Sequence, residues 1–158
     1  MFGPLLIEAL PSEDEEMGQQ LERSFGRRGI RVLTGSQVTE MRKGSAGVSL
    51  SVETPEGTRD LDCQKVLVAV GVQGNVDGLG LEETSIEVVR TFIKIDERMQ
   101  TSVPGVYAIG DVTGKLLLAH VAQSQGIVAV ETIAGMDSPA LDYKKTPRAT
   151  YCQPQVTS

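Results

Sequence analysis

The sequence predicts an α/β protein, and three observations carry that prediction. A β-α-β unit opens the chain, an antiparallel meander follows it, and several apolar runs end in a glycine or an acid. The last pattern marks parallel strands, whose carboxyl ends face ligands in open sheets.

Leu5, Leu6 and Ile7 form a short apolar run ending at Glu8, which reads as a buried strand that Pro11 and Ser12 break. From Glu13 to Arg28 the apolar residues Met17, Leu21 and Phe25 recur at every fourth position, giving one helical stripe. Glu13, Asp14, Glu15 and Glu16 crowd its first turn, Arg27 and Arg28 close its last, and Gly29 supplies a stop. Both ends therefore suit the helix dipole. Residues 30–34 are a second buried-strand candidate and complete the β-α-β unit. Residues 38–42, 48–53 and 58–61 read as the meander, divided by Gly44-Ser45-Ala46-Gly47 and Pro55-Glu56-Gly57. Val48, Leu50 and Val52 alternate with polar neighbours, the period of a half-exposed strand.

Residues 65–70 return as an apolar run into Gly71, the pattern of a central parallel strand. Residues 72–90, rich in glycine and acids, read as a passage between domains. Residues 92–96 form a short strand, Val103-Pro104-Gly105 a turn, and Val106 to Ile109 a strand ending at Gly110-Asp111. Residues 120–134 place Val121, Ser124, Ile127, Val128 and Ile133 in helical register, with Gly135 as the stop. From Pro139 onward the chain reads as extended and irregular.

Composition narrows the function. The 158 residues carry a net charge of −6 with no basic cluster, which argues against a nucleic-acid partner. No apolar run approaches the roughly 20 residues that span a bilayer, and Glu8 with no basic flank argues against a signal peptide. Cys63 and Cys152 match no metal or redox spacing and read as reduced, structural thiols in a reducing compartment. One histidine, no paired cysteines and no Ser/His/Asp set leave no acid–base or nucleophilic site and no metal site to assemble.

Four places could bind a ligand, each with two readings. Glu8 at a strand end can accept hydrogen bonds from both hydroxyls of an adenosine ribose, or be a solvated terminal acid. Gly71 can let backbone approach a ligand, or serve a turn. Asp111, beside Gly110 and just ahead of a helix, can hold a polyol such as a flavin ribitol, or cap a turn. His120 opens that helix, where backbone N–H groups and the dipole favour negative charge on a facing ring; its imidazole can equally cap or pack.

The run Thr101-Ser102-Val103-Pro104-Gly105-Val106-Tyr107-Ala108-Ile109-Gly110-Asp111-Val112-Thr113, continued by Leu118-Ala119-His120, closely resembles the pyridine-nucleotide disulfide reductases, and within them the dihydrolipoamide dehydrogenase family. Ile7-Glu8-Ala9-Leu10-Pro11, Val66-Leu67-Val68-Ala69-Val70-Gly71 and Thr150-Tyr151-Cys152-Gln153-Pro154 agree in order. The resemblance implies parts of two Rossmann-like, three-layer domains binding FAD and NAD. Residues 1–72 would be the C-terminal half of the NAD domain, with the meander. Residues 73–142 would return to the FAD domain, and 143–158 would begin an α+β dimerisation domain. It further implies that Glu8 binds the adenosine ribose of NAD, and that Val38 and Gly71 line the NAD site. Gly110 and Asp111 would hold the flavin ribitol, while Leu117, Leu118, Ala119 and His120 would lie under the isoalloxazine ring.

By the same resemblance the glycine motifs and the redox cysteine pair precede Met1, and the proton-shuttling His and Glu follow Ser158. None of this chain's residues is then catalytic, and it would be an inactive internal piece with open sheet edges, marginally stable alone. Its parent would be a homodimer oxidising dihydrolipoamide on a lipoyl-bearing acyltransferase or glycine cleavage carrier, cytoplasmic in a bacterium and in the mitochondrial matrix or plastid of a eukaryote. Two alternatives stand beside this: a non-catalytic nucleotide-binding module, or a piece of another flavoprotein disulfide reductase or NADH oxidase. Where the family carries Arg and Pro after the strand-end glycine, Val72-Gln73-Gly74-Asn75 stand here.

Overall fold

The computed structural model describes residues 14–157. The chain divides into two compact units, one running to Gly71 and taking in the residues from Pro147 onward, the other spanning Val72–Thr146. The break falls at Gly71, and residues 72–90 belong wholly to the second unit. The expected strand at residues 5–7 lies outside the described residues.

In the first unit α1 spans Glu15–Arg27, with Glu15 and Glu16 in its first turn and Arg27 in its last. Its end forms a Schellman turn. Gly29, at φ 77°, donates its N–H to the Gly26 carbonyl, and Ile30 donates to Phe25, each at 3.0 Å. Of the predicted stripe, Leu21 is buried, while Phe25 is half-buried and Met17 exposed.

Strands β1 (Gln37–Lys43), β2 (Val48–Thr54) and β3 (Gly57–Cys63) form the antiparallel meander in that order. Val52, on the central strand, is 5% exposed. One face carries Met41, Leu50 and Leu61 in a row; the other carries hydroxyl–carboxylate pairs, Ser49 donating to Asp62 at 2.5 Å and Ser51 to Asp60 at 2.7 Å. Between Val38 and Glu40 the register shifts, so that Thr39 is an extra residue in β1. The shift keeps Val38 and Met41, three apart, on the same face. In the β1–β2 connection Gly47 lies so close to β3 that a methyl group there would collide with the Cys63 carbonyl oxygen.

Two predicted strands of this unit find no partner among the described residues. Residues 30–34 and 65–70 form no strand pairing among the described residues, and Leu67 is 91% and Val68 68% exposed. A strand needs a neighbouring segment to pair its backbone N–H and C=O groups, and the segment 5–7 that the β-α-β reading sets beside residues 30–34 lies outside the described residues. The two-residue strands β6 (Ala149–Thr150) and β7 (Val156–Thr157) also belong to this unit and pair antiparallel in a tail predicted to be irregular. Arg28 donates to the Gln153 carbonyl at 3.2 Å.

In the second unit β4 (Val88–Val89) and β5 (Phe92–Ile93) form a minimal hairpin in place of a strand over 92–96. Residues 106–109 are a correction too: Tyr107 makes a single antiparallel bridge to Gln100, and the Ala108 N–H donates to the Met99 carbonyl at 3.0 Å. The turn at Pro104-Gly105 folds the run back on its own upstream neighbour, which satisfies it locally rather than in a parallel sheet. Helix α2 spans Ala119–Ile133 and ends, as α1 does, in a Schellman turn, with Gly135 donating to Thr132 and Met136 to Glu131. Its buried line is Val121, Gln125, Val128 and Ala129; Ile127 and Ile133 of the predicted register are exposed. Ile93, Ile95, Met99, Ala108, Val128 and Ala129 make the core of this unit.

Candidate functional site

Glu8 lies outside the described residues. Val38 and Gly71 belong to the first unit. Val38 sits half-buried in β1 opposite Val52, immediately before the extra residue. Gly71 is exposed at φ 140°, a backbone state that disfavours any side chain, although a methyl group there would meet nothing within 4 Å. Its requirement for glycine is conformational rather than steric.

Gly110, Asp111, Leu117, Leu118, Ala119 and His120 all belong to the second unit, at the junction between the folded-back run and α2. Gly110 adopts φ 79° and ψ −159°, and starts a single 3-10 turn over Asp111–Thr113. The turn closes through Thr113 N–H to the Gly110 carbonyl and Gly114 N–H to the Asp111 carbonyl, each at 3.0 Å. Asp111 is exposed, and no described residue bonds its carboxylate, which leaves its two oxygens available as acceptors. Leu117 is 38% exposed, Leu118 half-buried, and Ala119 and His120 exposed at the first positions of α2. No side chain of the capping residue Leu118 satisfies that helix end.

What holds this turn was not read from the sequence. Gln125 is fully buried at 0% exposure, and its side-chain carbonyl accepts from the Gly110 N–H at 2.5 Å. Its amide donates to the Thr113 hydroxyl at 3.3 Å and to the Tyr143 hydroxyl at 3.0 Å. Thr113, itself 6% exposed, donates that hydroxyl to the Gly110 carbonyl at 2.7 Å. The bonds form a ring that grips Gly110 by both its N–H and its C=O. Because an N–H can only donate, the orientation of the Gln125 amide follows from the contact with Gly110. A signal did exist: Gln125 stands four after Val121 and three before Val128, a polar residue in the middle of an apolar line.

Glycine is required nearby for a steric reason as well. Gly114, at φ 64°, packs so tightly that a methyl group there would fall 2.5 Å from Phe92 Cγ. Among the described residues no group of three or more His, Cys, Asp or Glu could hold a metal ion, and no helix is long and apolar enough to cross a membrane. The thiols are free and bonded locally, Cys63 to the Val48 carbonyl at 3.4 Å and Cys152 to the Pro154 carbonyl at 2.9 Å.

A family model described as pyridine nucleotide-disulphide oxidoreductase matches residues 5–126. The dihydrolipoyl dehydrogenase of Mycobacterium leprae is 45% identical over 155 residues, 97% of this chain and 33% of that protein. That of Corynebacterium glutamicum is 44% identical over 153 residues, 94% and 33%. The chain thus spans about a third of the length of these relatives. Among solved structures, LpdA from Mycobacterium tuberculosis superposes with a TM-score of 0.82 at 29% identity, covering 93% of this chain and 32% of that one. The HOCl-induced flavoprotein disulfide reductase RclA from Escherichia coli, in its Cu(II) complex, gives 0.83 at 21%, covering 97% and 35%, a likeness of fold alone.

Proposed function

Because this chain belongs to the pyridine nucleotide-disulphide oxidoreductase family, we propose that it is a segment of a dihydrolipoyl dehydrogenase contributing to both an FAD and an NAD site. The whole protein oxidises protein-bound dihydrolipoamide as a homodimer in a bacterial cytoplasm, serving a lipoyl-bearing acyltransferase or glycine cleavage carrier. Residues up to 72 belong to its NAD domain, 73–142 to its FAD domain, and the tail to its dimerisation domain. When bound, the flavin relays two electrons between a dithiol–disulfide couple and the nicotinamide.

This chain's own residues bind and orient. Glu8 receives the ribose hydroxyls of NAD, with Val38 and Gly71 lining that pocket. Gly110, lacking a side chain, lets backbone approach the flavin, and Asp111 accepts from the ribitol hydroxyls. Leu117 to His120 present the start of α2 to the ring, where helix amides favour negative charge. The observation that carries the reading is the exposed Asp111 carboxylate, bonded by no described residue, on a turn fixed at Gly110. With no cysteine pair, the chain alone turns over no dihydrolipoamide.

Titrating the chain with FAD, followed by flavin fluorescence, tests this. Hydrogen bonds to a charged group contribute about 1.5–3 kcal/mol, so Asp111→Asn weakens binding by roughly tenfold or more. Equal affinity of the two forms would overturn the assignment.

A further inference from the structure

The geometry points to Gln125 as a positioning residue for the ligand carboxylate of Asp111. This inference rests on the flavin reading above. Gln125 is a fully buried polar side chain whose every hydrogen-bonding group is engaged. Its carbonyl takes the Gly110 N–H, and its amide reaches the Thr113 and Tyr143 hydroxyls. Two of those three partners flank Asp111 on a single turn, and the third, Tyr143, directs its own proton toward Met99 Sδ at 4.0 Å. The ring through Gly110 and Thr113 fixes the peptide planes on both sides of Gly110, and the direction of the Asp111 side chain follows from those planes.

Helix packing alone does not explain a glutamine here. Gln125 shares its buried line with the aliphatic Val121, Val128 and Ala129, so burial by itself calls for no polar group here. What an aliphatic residue would lose is the acceptor for the Gly110 N–H and the donor for Thr113. The turn would then be free to rotate Asp111 away from its ligand.

Gln125→Met, Thr113→Val and Tyr143→Phe in this chain separate positioning from mere stability. The readouts are the ¹H–¹⁵N resonance of Gly110, the FAD dissociation constant and the melting temperature. In Gln125→Met the Gly110 amide proton moves upfield as its short bond is lost, and FAD binds roughly tenfold more weakly, the loss expected when one strong bond's geometry is released. Thr113→Val opens the same ring at its other limb and weakens FAD binding likewise, which keeps the test usable where the first variant folds poorly. Tyr143→Phe lowers the melting temperature but leaves the Gly110 resonance and the FAD affinity unchanged. An unmoved Gly110 resonance in Gln125→Met, or equal loss of affinity in Gln125→Met and Tyr143→Phe, overturns the inference. Should Asp111→Asn leave FAD binding intact, the flavin reading fails by itself, and the Gly110 resonance still decides whether Gln125 sets the turn.

Discussion

Replacing Gly114 with alanine probes the packing beneath the Asp111 turn. Two costs add. At φ 64° an alanine pays the left-handed penalty of about 1–2 kcal/mol. Its methyl group would also lie 2.5 Å from Phe92 Cγ and 2.9 Å from Phe92 Cβ, well inside van der Waals contact. Phe92 has little room to retreat, because its strand pairs with Val89 and its neighbour Ile93 is in the core. Overpacking of this kind costs about 1–3 kcal/mol. Gly105→Ala is the matched control: at φ 78° with nothing within 4 Å it bears only the backbone cost. Urea denaturation followed by far-ultraviolet circular dichroism should therefore rank Gly114→Ala below Gly105→Ala by about 1–3 kcal/mol. Coincident curves for the two variants would refute the reasoning, since the Phe92 contact would then be absent in solution.

Met99→Ala leaves the φ of 65° borne by a non-glycine residue in both forms, so the change reports the cavity left by a side chain 1% exposed, together with loss of the weak Sδ acceptor of the Tyr143 hydroxyl. A loss of about 2–5 kcal/mol in the same denaturation assay is expected, and under about 1 kcal/mol would mean the core closes around the gap. Leu67→Lys combined with Val68→Lys should change stability by no more than about 0.5 kcal/mol, yet reduce self-association measured by dynamic light scattering. A large stability loss would instead mean that this run is packed in solution.

Local chemistry was legible and distant pairing was not. Gly29 and Gly135 read as helix stops because a Schellman turn needs only one left-handed residue and carbonyls a few positions back. The meander read correctly because its two connections, at 44–47 and Pro55-Glu56, are short and close on adjacent strands. Residues 30–34, 65–70 and 106–109 share the composition of buried parallel strands, but composition does not say which segment supplies the hydrogen-bond partners. The last of these found its partner in its own upstream neighbour. In the candidate site, Gly110 and Asp111 were visible as a strand-end signature. Gln125 acts on Gly110 only because α2 folds back over the turn, and its one trace was a polar residue out of place in an apolar line.

The extra residue in β1 divides the strand into two phases. Ahead of Thr39 the even-numbered Val38 shares a face with Val52; beyond it the odd-numbered Met41 shares one with Leu50. Shortening the strand by that one position would restore a uniform alternation and turn either Val38 or Met41 toward the serine–aspartate side. Position 39 therefore contributes length, and its hydroxyl also donates across to the Ser51 carbonyl at 3.1 Å.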